Sequence, residues 1–308
     1  MEKIAITTGD PNGIGAEITI KALRTLNLSP DNVLLVSNSD ILKSCGGEDI
    51  CEKYEIIVVP YSKSDIKYGE VTKEAGEYSF RSLQKVCEIQ PKAIVTAPVS
   101  KFALYLAGHL YNGQTEVLQR YLAKEGQHAE MLFVAGNFKV LLLTRHCALK
   151  EVNLTQEMII EKVQNLAGTF KKQFGIENPK FALCGFNPHA GEAGILGREE
   201  INILIPAAEA LNAKGINITQ PLPSDILFVN AARDYYNDVD KPSYDCYIAN
   251  YHDQGLIPIK TVAGDRTVNM TIGLDIVRTS PGHGTAFDIA GKNIARCDGM
   301  VEAIKAVL

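Results

Sequence analysis

Hydrophobic positions in the first third of the chain follow two alternating patterns. Short continuous runs have the length of buried strands, whereas longer segments repeat their apolar residues at a period near 3.6, as amphipathic helices do. Because the two patterns alternate, they predict a parallel sheet covered by helices on both faces, and therefore an α/β fold. The predicted strands are residues 3–8, 32–38, 55–59 and 93–96, and the predicted helices are residues 14–26 and 72–90.

The middle of the chain interrupts this alternation. Residues 131–135 and 139–144 are strand-like and flank Gly136-Asn137, a two-residue turn typical of a β-hairpin. A long helix is predicted next, with Asn153 and Gln156 as a capping box at its start. Later predicted features are a buried helical stripe of Ile159, Val163, Leu166 and Phe170, strands at 180–185 and 244–249, and a helix at 199–211.

The strand at 244–249 leads into a segment with several chemically active side chains. Residues 250–260 contain His252, Asp253 and Lys260. Gly255 and Pro258 are predicted to prevent a helix here, which places His252 in a loop at a strand end. Strand ends are where open α/β folds carry their chemistry.

Length, composition and charge narrow the class of protein. A chain of 308 residues with 46% hydrophobic residues can bury a full core, and two domains are expected. Its 31 basic and 36 acidic residues give a net charge of −5, which argues against a nucleic-acid partner. Neither a targeting presequence nor a run of about 18 apolar residues is present, so a soluble, cytoplasmic protein without a membrane partner is expected.

The seven cysteines lack a C-x-x-C spacing and are odd in number, which predicts reduced thiols. Cys147 directly follows His146, but neighbours in sequence seldom form a nucleophile and base pair. A catalytic cysteine is therefore not favoured.

Three histidines, His146, His189 and His252, each follow a predicted strand. One such histidine is most often structural, but three together favour a metal site. Neutral imidazoles suit zinc, cobalt, iron or nickel better than magnesium. Three protein ligands with an open position are typical of a catalytic site. Separations of 43 and 63 residues mean that only the fold could assemble it.

Five separated motifs, in one order along the chain, carry a resemblance. Together they resemble the 4-hydroxythreonine-4-phosphate dehydrogenase family of pyridoxal phosphate biosynthesis, over nearly the whole chain. The motifs are Gly9-Asp-Pro-Asn-Gly-Ile-Gly15, Thr96-Ala-Pro-Val-Ser-Lys101, Gly185-Phe-Asn-Pro-His-Ala-Gly-Glu192, Tyr251-His-Asp-Gln-Gly-Leu256 and Asn269-Met-Thr-Ile-Gly-Leu-Asp-Ile-Val-Arg-Thr-Ser280.

The resemblance implies a fold, a reaction and an assembly. The fold is that of isocitrate and isopropylmalate dehydrogenases, with two α/β/α domains and an active site in the cleft between them. Residues 1–107 plus 268–308 would form the cofactor-side domain, and residues 108–267 the domain of the metal ligands and of dimerisation. The reaction is NAD(P)-dependent oxidation of 4-phosphooxy-L-threonine at C3, followed by decarboxylation to 3-amino-2-oxopropyl phosphate. In the implied homodimer, a partner subunit contributes to the site, potentially with a metal ligand.

The same resemblance assigns residues. It places His146, His189 and His252 on the ligands of one divalent metal (zinc, cobalt or magnesium) per subunit. The chain departs from its relatives at Gln114, where they carry a substrate-contacting histidine, and Gln cannot carry a proton at neutral pH. The substrate-binding set is Gln114, Thr115, Lys260, Asn269 and Arg278.

The proton acceptor stays open between two residues near His252. Lys260 could act as a base if neighbouring cations lowered its pKa, although it also has a substrate-binding role by resemblance. Asp253 could be the base or could orient a histidine. Asp225 and Asp245 are further carboxylates that the sequence does not rank.

A nicotinamide cofactor has two candidate loops. The first motif lacks the G-x-G-x-x-G spacing and contains Pro11, so a Rossmann pyrophosphate site is not favoured. Residues 282–292 are similar to the adenosine-binding loop of isopropylmalate dehydrogenases, which implies cofactor contacts at His283, Gly284, Thr285 and Ala286. Arg296 stands where that family has an asparagine, so the choice between NAD and NADP stays open.

Two other classes of function remain as alternatives. Gln114 allows a sister dehydrogenase that acts on threonate or erythronate 4-phosphate or on a ring diol. A non-oxidising relative, similar to acyl-phosphate transferases, is a third hypothesis, and the three histidines argue against it.

Overall fold

The structure, a computed structural model, describes residues 2–308 and contains two compact units. One unit consists of the chain up to Ala129 together with Val268–Leu308, and the other of Glu130–Thr267. The strands are β1 (Ile4–Thr7), β2 (Val33–Ser37), β3 (Glu55–Val58), β4 (Ala93–Thr96), β5 (Glu130–Ala135), β6 (Phe138–Leu142), β7 (Phe181–Leu183), β8 (Cys246–Ala249), β9 (Val268–Ile272) and β10 (Arg278–Pro281).

Helices connect most of these strands. They are α1 (Gly15–Leu26), α2 (Ser39–Ser44), α3 (Glu48–Lys53), α4 (Lys73–Ile89), α5 (Lys101–Leu106), α6 (Gln114–Leu122), α7 (Gln156–Gln173), α8 (Ile205–Ala213), α9 (Ser224–Tyr236), α10 (His252–Ala263) and α11 (Asp298–Lys305). Among residues 2–308, no helix has both the length and the apolar character that a membrane crossing requires. All seven cysteines are free thiols.

The first unit contains the parallel sheet that the sequence predicts. Its strands lie in the order β3-β2-β1-β4-β10-β9, and only β9 runs antiparallel to its neighbour β10. Strands β1, β2 and β4 are completely buried, which explains their continuous apolar sequence. Helix α4 packs its buried stripe on this sheet, with Thr72 accepting the Ala75 N–H as its N-cap.

The second unit is built on strands in the order β5-β6-β8-β7. The predicted hairpin is confirmed, with Ala135 opposite Phe138 across Gly136-Asn137. Strands β6, β8 and β7 run parallel, so their carboxyl ends meet at one edge. The predicted stripe of α7 is confirmed as core, since its four residues have no exposed surface.

Three predictions differ from the structure. The first boundary lies at 129/130 and not at 107/108, because Val117 and Leu118 on α6 are buried in apolar clusters of the first unit. The cap of α7 is Thr155, which accepts the Met158 N–H, and not Asn153. Residues 199–211 are helical as expected, but they open with a π-turn at Glu200–Leu204.

The prediction that Gly255 and Pro258 prevent a helix is wrong, since both lie inside α10. A Cβ at Gly255 would come within 2.7 Å of both Val140 and Leu142, so glycine lets α10 lie directly on β6. Burial of Leu256 and Ile259 against the sheet offsets the cost of about 3 kcal/mol of an interior proline. His252 consequently lies at a strand end and is also the first residue of a helix.

Candidate active site

The three predicted metal ligands follow the carboxyl ends of the three adjacent parallel strands of the second unit. His146 follows β6, His252 follows β8, and His189 follows β7. The rings of His146 and His252 are neighbours, with centroids 5.7 Å apart. They share a cavity of about 270 Å³ lined by Arg145, His146, Cys147, Leu149, Val152, Tyr251, His252 and Asp253.

The orientation of His252 is fixed by its neighbour in sequence. Its Nδ1 lies 2.7 Å from Asp253 Oδ1. Such a contact leaves Nε2 as the nitrogen directed away from the carboxylate, and it is the arrangement in which carboxylates orient metal-binding imidazoles. The contact supports a positioning role for Asp253.

His189 begins a segment of unusual backbone geometry. Five consecutive residues, from His189 to Ala193, have φ between 45° and 80° and form a left-handed turn. Four of them are not glycine, so this conformation costs roughly 1–2 kcal/mol at each. The segment is held by Glu200, which is 3% exposed and accepts hydrogen bonds from the backbone and side chain of Asn187. Strain retained by buried hydrogen bonds is typical of functional segments.

The histidines at this sheet edge offer two nitrogen ligands to a metal ion. Across residues 2–308, no three His, Cys, Asp or Glu side chains lie close enough together to hold one. The His146 and His252 pair fits two nitrogen ligands, because its 5.7 Å centroid separation accommodates metal–nitrogen bonds of about 2.0–2.1 Å from each ring. His189 as the third ligand stays a prediction.

In the first unit, the predicted substrate residue Arg278 is a buried cation with neutral partners. It is 3% exposed, and burial lowers the pKa of its guanidinium to about 9 although nearby Glu116 opposes the shift. Its Nε and Nη2 donate to Thr96 Oγ1 at 2.8 and 2.6 Å, and Nη1 donates to Thr271 Oγ1 at 3.5 Å. A buried guanidinium whose hydrogen bonds go to hydroxyl groups is suited to bind an anion.

Other predicted substrate residues accompany Arg278. Asn269 lies opposite Ser280 and Thr271 opposite Arg278, so these side chains share one face of the β9–β10 pair. The amide oxygen of Asn269 is buried without a hydrogen-bond partner. An unpaired buried acceptor costs about 1–3 kcal/mol, which a ligand donor would recover.

Gln114 and Thr115 form the first turn of α6. Gln114 Nε2 donates to Ala97 O at 3.1 Å, while its Oε1 is buried without a partner. Thr115 is also buried.

Lys260, in contrast, belongs to the second unit and lies in the last turn of α10, about 12 Å along the axis from His252. Lys260 is therefore distant from His252 and Asp253 in the structure, although the three residues are close in sequence.

The predicted cofactor loop packs on the first motif of the chain. Thr285 O accepts the Ile14 N–H at 3.0 Å, and a Cβ at Gly13 would lie 2.9 Å from the same oxygen. Glycine at position 13 therefore permits this approach. Ala286 has a left-handed φ of 44°, and His283 is half-buried with Nδ1 3.1 Å from Gly284 O. The loop is irregular, and the structure brings it to the carboxyl end of β1.

Two residues of this region were not identified from the sequence, although both lie in quoted motifs. Thr96 is the main partner of Arg278, from 182 residues away. Asp10 has no exposed surface, and burial raises the pKa of its carboxyl to about 6 despite the backbone N–H groups of Asn12 and Ser100. Its Oδ2 is buried without a hydrogen-bond partner. A buried acid beside a glycine-rich turn is the signal that sequence reasoning missed.

Comparisons with known proteins point to one family. The family described as "Pyridoxal phosphate biosynthetic protein PdxA" matches residues 6–307. A 4-hydroxythreonine-4-phosphate dehydrogenase of a Sulfurihydrogenibium species is 38% identical, with 100% of this chain and 98% of that protein covered. The crystal structure of the Klebsiella pneumoniae enzyme of the same name superposes with a TM-score of 0.84 at 34% identity, covering 100% of this chain and 98% of the other.

More distant structures extend the likeness. A terephthalate 1,2-cis-dihydrodiol dehydrogenase from Burkholderia xenovorans is 26% identical, with a TM-score of 0.67 over 99% of this chain and 97% of the other. An isocitrate dehydrogenase from Methylococcus capsulatus, at 13% identity and a TM-score of 0.52, covers 100% of this chain and 85% of its own, and shows the shared fold alone. The predicted α/β fold class is therefore confirmed, and the chain belongs to the 4-hydroxythreonine-4-phosphate dehydrogenase family of pyridoxal phosphate biosynthesis.

Proposed function

We propose that this protein oxidises 4-phosphooxy-L-threonine at C3 with NAD or NADP and a divalent metal ion, and that the product loses carbon dioxide to give 3-amino-2-oxopropyl phosphate. The hydride leaves C3 for the nicotinamide, and the hydroxyl proton leaves to a base. The bond between C1 and C2 then breaks, and its electron pair forms an enolate that is protonated at C2. Family membership supports the substrate, and the residues below support the chemistry.

The observation that carries the proposal is the burial of Arg278. The hydrogen bonds of this guanidinium go to hydroxyl groups, so an anionic substrate would give it a charged hydrogen-bond partner. Asn269 and Gln114 lie in the same unit with unpaired buried amide oxygens. A substrate with an anionic group and hydrogen-bond donors matches this set.

His146 and His252 would hold the metal, with His189 as the third ligand. Bound there, a divalent ion would act as a Lewis acid towards the oxygen at C3, which favours both loss of the hydroxyl proton and uptake of negative charge during decarboxylation. Asp253 keeps the His252 ring in place through Nδ1. We propose this positioning role for Asp253 and leave the base unassigned between it and Lys260. The distance of Lys260 along α10 favours its contact with the substrate's anionic groups.

The cofactor is proposed to bind along residues 283–286. The contact between Thr285 and the Gly13–Ile14 turn supports this site, because it holds the loop beside the carboxyl end of β1. Both NAD and NADP remain candidates.

A homodimer is proposed on the basis of an apolar surface. Ile226, Val229 and Tyr236 follow one another at three- and seven-residue spacing on α9, and Ile257 lies on α10, which packs against α9. All four side chains are more than half exposed. An exposed apolar face on two adjacent helices matches a self-complementary interface.

A second candidate is supported by Gln114. Its side chain presents a neutral amide at the position where the family resemblance implies a histidine, so a phosphorylated four-carbon sugar acid is the alternative substrate. Initial rates of NAD(P)H formation on 4-phosphooxy-L-threonine and on threonate 4-phosphate, with and without a chelator, test the proposal. Faster turnover of 4-phosphooxy-L-threonine that the chelator abolishes is expected. Faster turnover of threonate 4-phosphate would support the alternative, and no absorbance change at 340 nm with either would reject both.

A further inference from the structure

Two side-chain amides, the buried Asn250 and the partly buried Gln254, connect the three loops that carry the histidines. Gln254, in the first turn of α10, uses both ends of its side chain. Its Oε1 accepts the Asn250 N–H at 2.7 Å and the Asn250 Nδ2 at 3.1 Å, while its Nε2 donates to Gly185 O at 2.7 Å and to Ser224 Oγ at 3.0 Å. One side chain thus joins the segment after β8 to the segment after β7.

Asn250 extends the same network in both directions. It has no exposed surface, its Nδ2 donates to Cys184 O at 2.8 Å, and its backbone oxygen accepts from Thr144 Oγ1 at 2.7 Å. Thr144 lies between β6 and His146, and Cys184 lies between β7 and His189. Because β8 is the central strand of the three, an amide at its end can reach both neighbours.

We infer that Asn250 and Gln254 are positioning residues that hold the histidine-bearing loops in the arrangement needed for metal binding. Each of the three loops is tied within four residues of its histidine, by Thr144, by Gly185 and by Asn250 itself. The inference concerns the loops of one chain and does not depend on which subunit shares the ion. It rests on the proposed metal dependence for its functional consequence, but the network itself can be tested without metal.

The first measurement is hydrogen exchange of the metal-free protein. Gln254→Leu should speed exchange of backbone amides in residues 143–147, 185–190 and 250–254 together. Gln254→Glu keeps the acceptor for Asn250 but cannot donate to Gly185, so it should affect mainly residues 185–190. Asn137→Ala is the matched control, because Asn137 Nδ2 donates to the backbone oxygens of Asp234 and Val239 at the opposite end of β6. It should leave the three loops unchanged.

The second measurement is calorimetric titration with Zn²⁺ or Co²⁺. Loss of residues that position ligands typically weakens metal binding roughly 10- to 100-fold, so Gln254→Leu should show this loss and Gln254→Glu a smaller one. Asn137→Ala should lower the melting temperature without changing metal affinity.

The two measurements separate the possible failures. The inference would be overturned if Gln254→Leu and Gln254→Glu both left hydrogen exchange in the three loops unchanged. It would also be overturned if both variants bound metal with the affinity of the parent protein. If the parent protein binds no metal and His252→Ala gives the same titration, the proposed metal dependence fails. Hydrogen exchange alone then decides whether the network holds the loops.

Discussion

Replacement of Arg278 by methionine should make the protein more stable and less active. Methionine retains most of the aliphatic volume and removes the buried charge. Each pKa unit corresponds to about 1.4 kcal/mol, so lowering the guanidinium pKa from its ordinary value to about 9 corresponds to about 5 kcal/mol of burial cost. Thr96 loses two charged donors in the variant, which returns about 1–3 kcal/mol of that gain.

A net stabilisation of about 2–4 kcal/mol is therefore expected, in line with other replacements of buried charges by apolar residues. It should raise the melting temperature by roughly 2–4 °C for each kcal/mol. Removing the partner of a bound anion costs about 2–5 kcal/mol, so kcat/KM should fall roughly 30-fold to several thousand-fold.

Calorimetric melting checks the expected rise in melting temperature, and steady-state kinetics on the same preparations check the expected fall in kcat/KM. Arg120→Met is the matched control, since Arg120 is exposed on α6 and its replacement should change neither quantity appreciably. A lower melting temperature for Arg278→Met would contradict the account of Arg278 as a destabilising buried charge. Unchanged kcat/KM would contradict its role in substrate binding.

Three further predictions concern stability. Gly255→Ala should destabilise the protein by about 1–3 kcal/mol in urea unfolding, because the new Cβ would overlap Val140 and Leu142, and a neutral result would show that α10 can move off β6. Pro258→Ala should raise the unfolding free energy by up to about 3 kcal/mol by removing an interior helix proline, and a loss would refute this. Asp10 has a raised pKa, so its contribution to stability is complete below pH 3.8 and is lost as the pH rises through about 6. Asp10→Asn should therefore match the parent near pH 3.5 and exceed it by about 3 kcal/mol at pH 7 in chemical unfolding, and an equal difference at both pH values would exclude the linkage.

The strands and long helices could be predicted because their signals are local. The core stripe of α7 and the hairpin at Gly136-Asn137 depend on spacing within a few residues, and both are confirmed. Helix α10 was missed because glycine and proline normally weaken helices, and the burial that outweighs them depends on strands far away in sequence. The helix is stable for tertiary reasons that no local pattern contains.

The candidate site was predictable only in its parts. The histidines could be placed at strand ends, but the network from Gln254 to Gly185 and Asn250 requires the strand order β6-β8-β7, which the sequence does not specify. Similarly, Arg278 was identified as a substrate residue by resemblance, whereas its burial and its contact with Thr96 needed the paired strands.

The left-handed turn that begins at His189 reverses the usual preference for the chirality of an amino acid. At Ala193, with φ of 54°, an L-residue is strained, while a D-residue would adopt the same backbone angles at low energy. Chemical ligation of a segment with D-alanine at this exposed position should therefore stabilise the native turn. At this position, D-alanine would adopt the observed backbone angles with less strain than L-alanine.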